Sequence, residues 1–369
     1  QNDLLARIRA GFAFPKFNDK YILQYEKWNS EHPTYLAAMF ARAEPFLFYI
    51  VEELEKRNMP MELALLPAVE SAFKPTAVSR SRAAGLWQFV PATGRHYGLR
   101  QDWWYDGRMD AIAATTAALD YLQHLNGLFG GDWQVTLAAY NGGQGTVRRA
   151  IKANQRRGRG IRYQDLRLRK ETEQYVPKLY ALRNIILNPE KFSVELPVIP
   201  NEPHFSILEL PRQTDIKQLI SEAGLDLAQM QHLNASYRRW ATPPEGPHRL
   251  LIPVNNLAKV KNAVSSLDST PAVTYLDYAI RNGDTLSSIA RDHGVSVAGL
   301  KSVNSLRGSR ITAGKTLLIP MPADRNAPDQ AVANAPQATD AGDTPVDANR
   351  EIIHRVAHGD TLWSIAKRY

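Results

Sequence analysis

The sequence has no cysteine. That absence excludes disulfides, thiolate metal sites and thiol catalysis. It also has no uninterrupted apolar run approaching the ~20 residues that a membrane-spanning helix needs. Its most apolar helical stretch, around residues 45–54, is broken by Glu52 and Glu53. No signal-peptide pattern is visible. The chain opens on Gln1 without a methionine, so a membrane anchor is expected only from residues upstream. Strand-type alternation is missing through Asn188. Acidic residues are the minority charge: the net charge is +8 and the isoelectric point is about 9.5. A basic balance favours anionic partners, whether nucleic acid, membrane surface or wall polymer.

At 369 residues the chain exceeds one typical domain, and two to four are expected. Residues 1–32 mix charges with aromatics such as Phe12, Phe14, Phe17, Tyr21, Tyr25 and Trp28. With so little periodicity they read as an irregular N-terminal arm. From 33 to 57 apolar residues recur at helical spacing, as Leu36, Met39, Phe40, Phe46, Ile50 and Leu54 do. Further helices are expected over 62–73, 110–129, 133–140, 146–153 and 171–187, with a short one near 91–96. Asn141-Gly142-Gly143 supplies a helix stop. Residues 33–190 therefore read as an all-α domain. A basic run between Arg148 and Lys170 lies inside it. It reads equally well as a solvated loop or as a surface attracting an anionic polymer. It lacks the interleaved aromatics that nucleic-acid stacking needs.

One carboxylate stands apart. Glu70 comes after Leu63, Ala64, Leu65, Leu66, Ala68 and Val69 and precedes Ala72 and Phe73. Burial among such neighbours disfavours the charged form, which is how a protein makes a general acid for neutral pH. The plain alternative is a surface glutamate at a helix end. The segment downstream of Glu70 favours the acid. Ala83-Ala84-Gly85 permits close backbone approach, and Leu86-Trp87-Gln88-Phe89 sets an amide between large apolar side chains. An acid, a glycine turn and an aromatic–amide pair suit a sugar-binding cleft.

Near residue 190 the composition shifts: Pro189, Pro197, Pro200 and Pro203 mark a linker over 191–203. An internal repeat lies beyond it. Residues 281–290 (RNGDTLSSIA) match 357–366 (AHGDTLWSIA), and Gln213-Thr214-Asp215-Ile216 aligns as a weaker copy. The two complete copies close on Leu251-Ile252-Pro253 and Leu318-Ile319-Pro320. Each reads strand–helix–helix–strand, giving a degenerate module at 204–255, a full one at 274–321 and a partial one at 351–369. Residues 322–350, rich in Pro, Ala, Asp and Asn, read as a flexible tether. Units this small suit binding rather than catalysis.

Glu70-Ser71-Ala72-Phe73, Gly85-Leu86-Trp87-Gln88, Ala139-Tyr140-Asn141-Gly142-Gly143 and Glu171-Thr172-Glu173-Gln174-Tyr175-Val176 occur in that order. Together they resemble the successive motifs of the goose-lysozyme-like soluble lytic transglycosylase family, across roughly residues 60–187. The repeats resemble LysM modules. The resemblance implies a multidomain chain, with an all-α lysozyme-like catalytic domain followed by small α+β modules. It implies cleavage of peptidoglycan between N-acetylmuramic acid and N-acetylglucosamine with closure of a 1,6-anhydro ring. Glu70 would be the sole acid/base. Ser79, Gln88, Tyr140, Asn141, Glu171 and Tyr175 would bind substrate, with Ser79 orienting an acetamide and the Tyr140 hydroxyl lying near Glu70. No cofactor or metal is implied. The modules would bind N-acetylglucosamine-containing glycan, and the setting would be the bacterial envelope, periplasmic and associated with the outer membrane. One departure is Trp87, where the family commonly has methionine; it suggests a bulkier cleft wall.

Three other readings compete. A hydrolytic muramidase on the same fold needs a second carboxylate to activate water, with Asp102, Asp106, Asp110 and Asp132 as candidates. A non-catalytic glycan-binding scaffold is weakened by Glu70 standing in its motif. A nucleic-acid binder ranks last.

Overall fold

In the computed structural model, residues 2–267 and 273–322 are described. The expected partial module at 351–369, and the expected tether apart from Pro322, lie outside them.

The sequence predicts an irregular arm over 1–32, but two helices lie there, α1 (Leu4–Ala10) and α2 (Lys20–Glu31). Asp3 and Asp19 cap them, accepting the backbone N–H of Leu5 and Tyr21. Each helix buries only three residues, among them Leu4, Leu5, Ile8 and Ile22. So short an apolar face leaves little periodicity to read. Next comes α3 (Pro33–Lys56), with Pro45 inside it. A single helix is expected over 62–73. Instead a 3₁₀ turn (Met61–Leu65) leads into α4 (Leu66–Ser71). Pro67 sits in the first turn of α4, where its missing N–H costs nothing.

The helical domain continues with α5 (Pro91–His96), α6 (Ala111–Leu128), α7 (Trp133–Gly142), α8 (Gln144–Gln155) and α9 (Lys170–Leu187). Asp110 and Asp132 cap α6 and α7, each accepting two backbone N–H groups. Phe40, Leu47, Leu122, Leu137, Val176 and Leu179 share one core. Glu62 is fully buried and accepts the N–H groups of Ala13 and Phe14. It also pairs with Arg183 at 3.0 Å, tying the N-terminal segment and the 3₁₀ turn to α9.

Residues 191–203, expected to be a linker, run against the N-terminus. Ile199 accepts from Leu4 N–H at 2.8 Å, Asn2 accepts from Asn201 N–H at 3.2 Å, and Ile199 is buried.

Two small α+β units complete the described chain. The first comprises β1 (Phe205–Glu209), α10 (Ile216–Glu222), α11 (Leu227–Leu233) and β2 (Arg249–Pro253), and α12 (Leu257–Ser266) is appended to it. β1 and β2 are antiparallel, with Phe205 opposite Pro253 and Glu209 opposite Arg249. The second comprises β3 (Val273–Ala279), α13 (Leu286–Asp292), α14 (Val297–Val303) and β4 (Thr316–Pro322). Its strands pair from Val273 opposite Pro322 to Ala279 opposite Thr316. One device recurs at aligned positions. Asn234 donates to the Leu251 carbonyl and accepts its N–H, and Asn304 does the same with Leu318. Each amide pins the end of the second helix to the closing strand. At the first helix, Asp215 and Thr285 are aligned caps.

The first unit is packed into the helical domain. Phe205, Leu233 and Leu251 join the main core. Arg249 pairs with Asp110 at 3.0 Å, and Asp106 N–H donates to the Ser236 carbonyl at 2.9 Å. Trp103, Trp104 and Trp240 form a buried aromatic cluster at this junction. Trp103 also covers Gly299 of the second unit, where a Cβ would lie 2.5 Å from the indole.

Candidate active site

Glu70 stands at the end of α4, just before a sharp reversal. Ala72 and Phe73 both take left-handed backbone, at φ 50° and 57°. Such conformations are strained for side-chain-bearing residues and persist only where their surroundings hold them. Here the Phe73 ring is fully buried, Arg42 Nε donates to the Ala72 carbonyl at 2.8 Å, and Ser71 Oγ donates to the Leu86 carbonyl at 3.0 Å. The carboxyl-bearing turn is thus locked to the glycine loop.

That loop forms the second wall. Gly85 has φ +81°, and a Cβ on it would lie 1.8 Å from the Arg108 carbonyl oxygen, so only glycine fits. Buried Arg108 pairs with Asp106 at 2.7 Å and donates to the Arg82 and Phe89 carbonyls, bracing both ends of the loop. Gln88 also has left-handed backbone, and its amide nitrogen donates to the Ala77 and Gly85 carbonyls.

The third wall is α9. Glu171, Gln174, Tyr175 and Lys178 recur at i, i+3, i+4 and i+7, hence on one side of the helix. The Tyr175 hydroxyl donates to Glu70 Oε1. Burial, the largest influence, raises the Glu70 carboxyl to about 7, opposed by the Tyr175 hydrogen bond. The Glu171 charge pushes it further up and Lys178 pulls it down. Burial, and then the Glu70 charge, pushes the Tyr140 and Tyr175 hydroxyls well above their ordinary range. Both stay protonated and serve as donors.

The expected residues divide. Tyr175 meets Glu70 directly, and Glu171 lies within electrostatic reach while itself exposed. The resemblance implies that the Tyr140 hydroxyl lies near Glu70, and the Glu70 charge does act on it. The structure directs it to the Trp87 carbonyl at 2.8 Å, and Tyr175 takes the carboxylate contact. Asn141 Oδ1 accepts from Thr172 Oγ1 at 2.9 Å, joining α7 to α9. Ser79 Oγ accepts from Ala83 N–H at 3.0 Å and bonds Ser81, so it braces its own turn. Trp87 is corrected outright: its ring is fully buried and donates to Thr115 Oγ1 at 2.9 Å. It forms core, not cleft wall, because it packs with Leu86 and Phe89 in the main core and its indole N–H is satisfied by Thr115 of α6.

The four aspartates considered as a second carboxylate all have structural partners. Asp102 accepts from the N–H groups of Trp104 and Tyr105, Asp106 pairs with Arg108, Asp110 caps α6 and pairs with Arg249, and Asp132 caps α7. Sequence reasoning gave no role to Ser71, Arg108 and Lys178. Ser71 stands in the Glu70 motif, and Lys178 lies three residues after Tyr175 on the same helix face; Arg108 left no signal. Among the described residues, no group of three or more His, Asp or Glu could hold a metal ion. All ten cations of the run from Arg148 to Lys170 are exposed. The run is nonetheless ordered: buried Asn154 donates to the Gly160 and Asp165 carbonyls, and Tyr163 donates to those of Thr172 and Glu173. Chemically, the site offers one carboxyl poised near neutrality, held by a tyrosine on one oxygen and free of a second catalytic carboxylate partner among those four aspartates.

Family models match in three places. A transglycosylase SLT domain matches residues 48–161, and a LysM-like domain described from lytic transglycosylase MltD matches 204–269. A LysM domain matches 278–320 and 354–369. The chain is 38% identical over 363 residues to membrane-bound lytic murein transglycosylase D of Escherichia coli K12, covering 95% of this chain and 76% of that protein. It is 42% identical over 79 residues to peptidoglycan transglycosylase gp16 of Escherichia phage T7, covering 21% of this chain and 6% of that protein. Among solved structures, the 70 kDa soluble lytic transglycosylase of Escherichia coli aligns with 19% identity and a TM-score of 0.33, over 46% of this chain and 30% of that one.

Proposed function

The chain belongs to the membrane-bound lytic murein transglycosylase D family, and on that premise we propose that Glu70 is the single acid and base of its reaction. The protein is a peptidoglycan lytic transglycosylase with glycan-binding LysM modules. The glycan lies with the oxygen linking muramic C1 to the next sugar against the protonated Glu70 carboxyl. Glu70 gives its proton to that oxygen, the C1–O bond breaks, and C1 takes on oxocarbenium character. The carboxylate left behind then accepts the proton of the muramic C6 hydroxyl. O6 bonds to C1 and closes the 1,6-anhydro ring. Glu70 ends as it began, protonated, and no water is consumed. One carboxyl therefore suffices, and it works best when its pKa matches the surroundings.

The observation that carries this reading is the Glu70 carboxyl raised by burial to about 7, with Tyr175 donating to it. Such a group is protonated in a large share of molecules at neutral pH, yet basic enough to take the proton back. Tyr175 supports the carboxylate phase. Tyr140, Asn141, Gln88, Ser79 and Glu171 shape and line the glycan cleft around it. The hydrolytic reading loses its support, because Asp102, Asp106, Asp110 and Asp132 are engaged in caps and ion pairs.

The LysM modules hold N-acetylglucosamine-containing strands and keep the enzyme on an insoluble polymer. The chain acts at the cell envelope, in the periplasm and at the outer membrane. Mass spectrometry of products from purified peptidoglycan tests the reading. Muropeptides ending in 1,6-anhydromuramic acid, lost in Glu70→Gln, are expected. Products heavier by one water would replace the intramolecular attack with hydrolysis.

A further inference from the structure

Helix α2 carries an aromatic stripe that the chemistry at Glu70 leaves unused. Tyr21, Tyr25, Trp28 and His32 stand at i, i+4, i+7 and i+11, so they share one face of the helix and its cap. The other face is committed to packing: Ile22, Glu26 and Asn29 are buried, and Glu26 accepts from Asn184 of α9 at 2.7 Å. Trp28 stacks on His32 with ring centroids 4.3 Å apart, and Tyr35 stands edge-on to Trp28 at 5.1 Å. Trp28 remains 41% exposed and Tyr35 39% exposed. Rings this large are usually buried or used when they cluster at a surface.

The stripe is continuous with the active site. The Tyr25 hydroxyl donates to Gln174 Oε1 at 2.9 Å, one residue before Tyr175. The Lys178 ammonium lies 5.4 Å from the centre of the Tyr25 ring, and the same charge acts on Glu70. Tyr25 thus stands beside the α9 edge that holds the catalytic carboxyl. Seven residues separate Tyr21 from Trp28, a rise of ~10.5 Å along the helix, on the scale of a disaccharide. The neighbours Lys20, Gln24 and Lys27 are polar, and each phenol or indole carries a hydrogen-bonding tip. Flat apolar faces with polar rims match a pyranose, whose C–H faces are apolar and whose hydroxyls project sideways. The whole stripe also precedes residue 48, where the transglycosylase family match begins.

We propose that Tyr21, Tyr25, Trp28 and Tyr35 form a stacking platform for the glycan strand, extending the cleft beyond the sugars that meet Glu70. The platform rests on the reading of this protein as a peptidoglycan transglycosylase. It contacts sugars remote from the bond that breaks, so its binding energy is the same in the ground and transition states. It therefore lowers KM and leaves kcat alone, and only for strands long enough to reach it.

The test uses the full chain. Trp28→Ala and Tyr21→Ala are assayed on long purified glycan strands and on a tetrasaccharide, with Trp28→Phe as the conservative control. Trp28→Ala raises KM on long strands roughly 5- to 10-fold with kcat unchanged, Trp28→Phe recovers most of it, and the tetrasaccharide is cleaved as before. Equal KM values for all variants would overturn the platform. So would equal losses on both substrates, which would mark Trp28 as packing at the α2–α3 junction. Hydroxyl-radical footprinting of the Glu70→Gln protein gives a readout independent of turnover. Trp28 and Tyr35 become protected when glycan strands are added. Protection by anionic vesicles alone, or by raising protein concentration alone, would instead assign the stripe to a membrane or to a second copy. If the unsubstituted chain cleaves nothing while glycan still protects Trp28, the reading of Glu70 fails and the platform stands.

Discussion

Replacing Tyr175 with phenylalanine removes one hydroxyl and keeps the ring. That hydroxyl donates to Glu70 Oε1 and stabilises the carboxylate against burial, which otherwise raises its pKa. A hydrogen bond to a charged group contributes about 1.5–3 kcal/mol. At 1.36 kcal/mol per pKa unit, its loss raises the Glu70 pKa by about 1–2 units. From a starting value of about 7, Glu70 then titrates at about 8–9. The acid form persists to higher pH, so the alkaline limb of kcat/KM moves upward by the same interval. The assay is release of 1,6-anhydromuropeptides from purified peptidoglycan across pH 5 to 10. A limb that stays in place, or moves toward acid, would refute the assignment of Tyr175 as the group holding the carboxylate. Thermal melting of the variant guards against misreading a folding defect, because the ring still fills its buried place on α9.

Three further outcomes are expected from the geometry. Glu70 is raised from 4.5 to about 7 in the fold, so the folded chain binds its proton more tightly than the unfolded chain does. Stability therefore falls as pH climbs through that window, by about 3 kcal/mol in total, and is flat above it. Glu70→Gln escapes the loss and unfolds at higher urea than the parent at pH 8, with little difference at pH 4. Gly85→Ala places a methyl 1.8 Å from the Arg108 carbonyl at φ +81°, backbone against backbone. It costs roughly 3 kcal/mol or more, read as a lowered melting temperature with loss of activity. Trp87→Met loses a buried ring and its bond to Thr115. It lowers stability by about 2–3 kcal/mol and leaves KM unchanged; an altered KM would return Trp87 to the cleft.

Much of this protein is local and was legible from residue order. The helices from α3 onward announce themselves by apolar spacing, whereas α1 and α2 bury too few residues to do so. The two small α+β units do so by repeated Gly-Asp-Thr or Gln-Thr-Asp caps and an asparagine further along, Asn304 or Asn234. Glu70 is legible for the same reason, since an acid set in an apolar run is a one-dimensional signal of burial. What only the tertiary structure decided involves distant segments or the direction of a side chain. Tyr175 and not Tyr140 bonds Glu70, because contact across 105 residues depends on how α9 lies against α4. Trp87 points into the core while its carbonyl faces Tyr140, and a residue's letter does not say which way its ring turns. Residues 191–203 look like a linker by proline content, yet pair with the N-terminus, a partner sequence proximity cannot reveal. The four aspartates were equivalent as letters. The structure gives each a different partner, set by helix starts and by Arg108 and Arg249, which the sequence order does not contain.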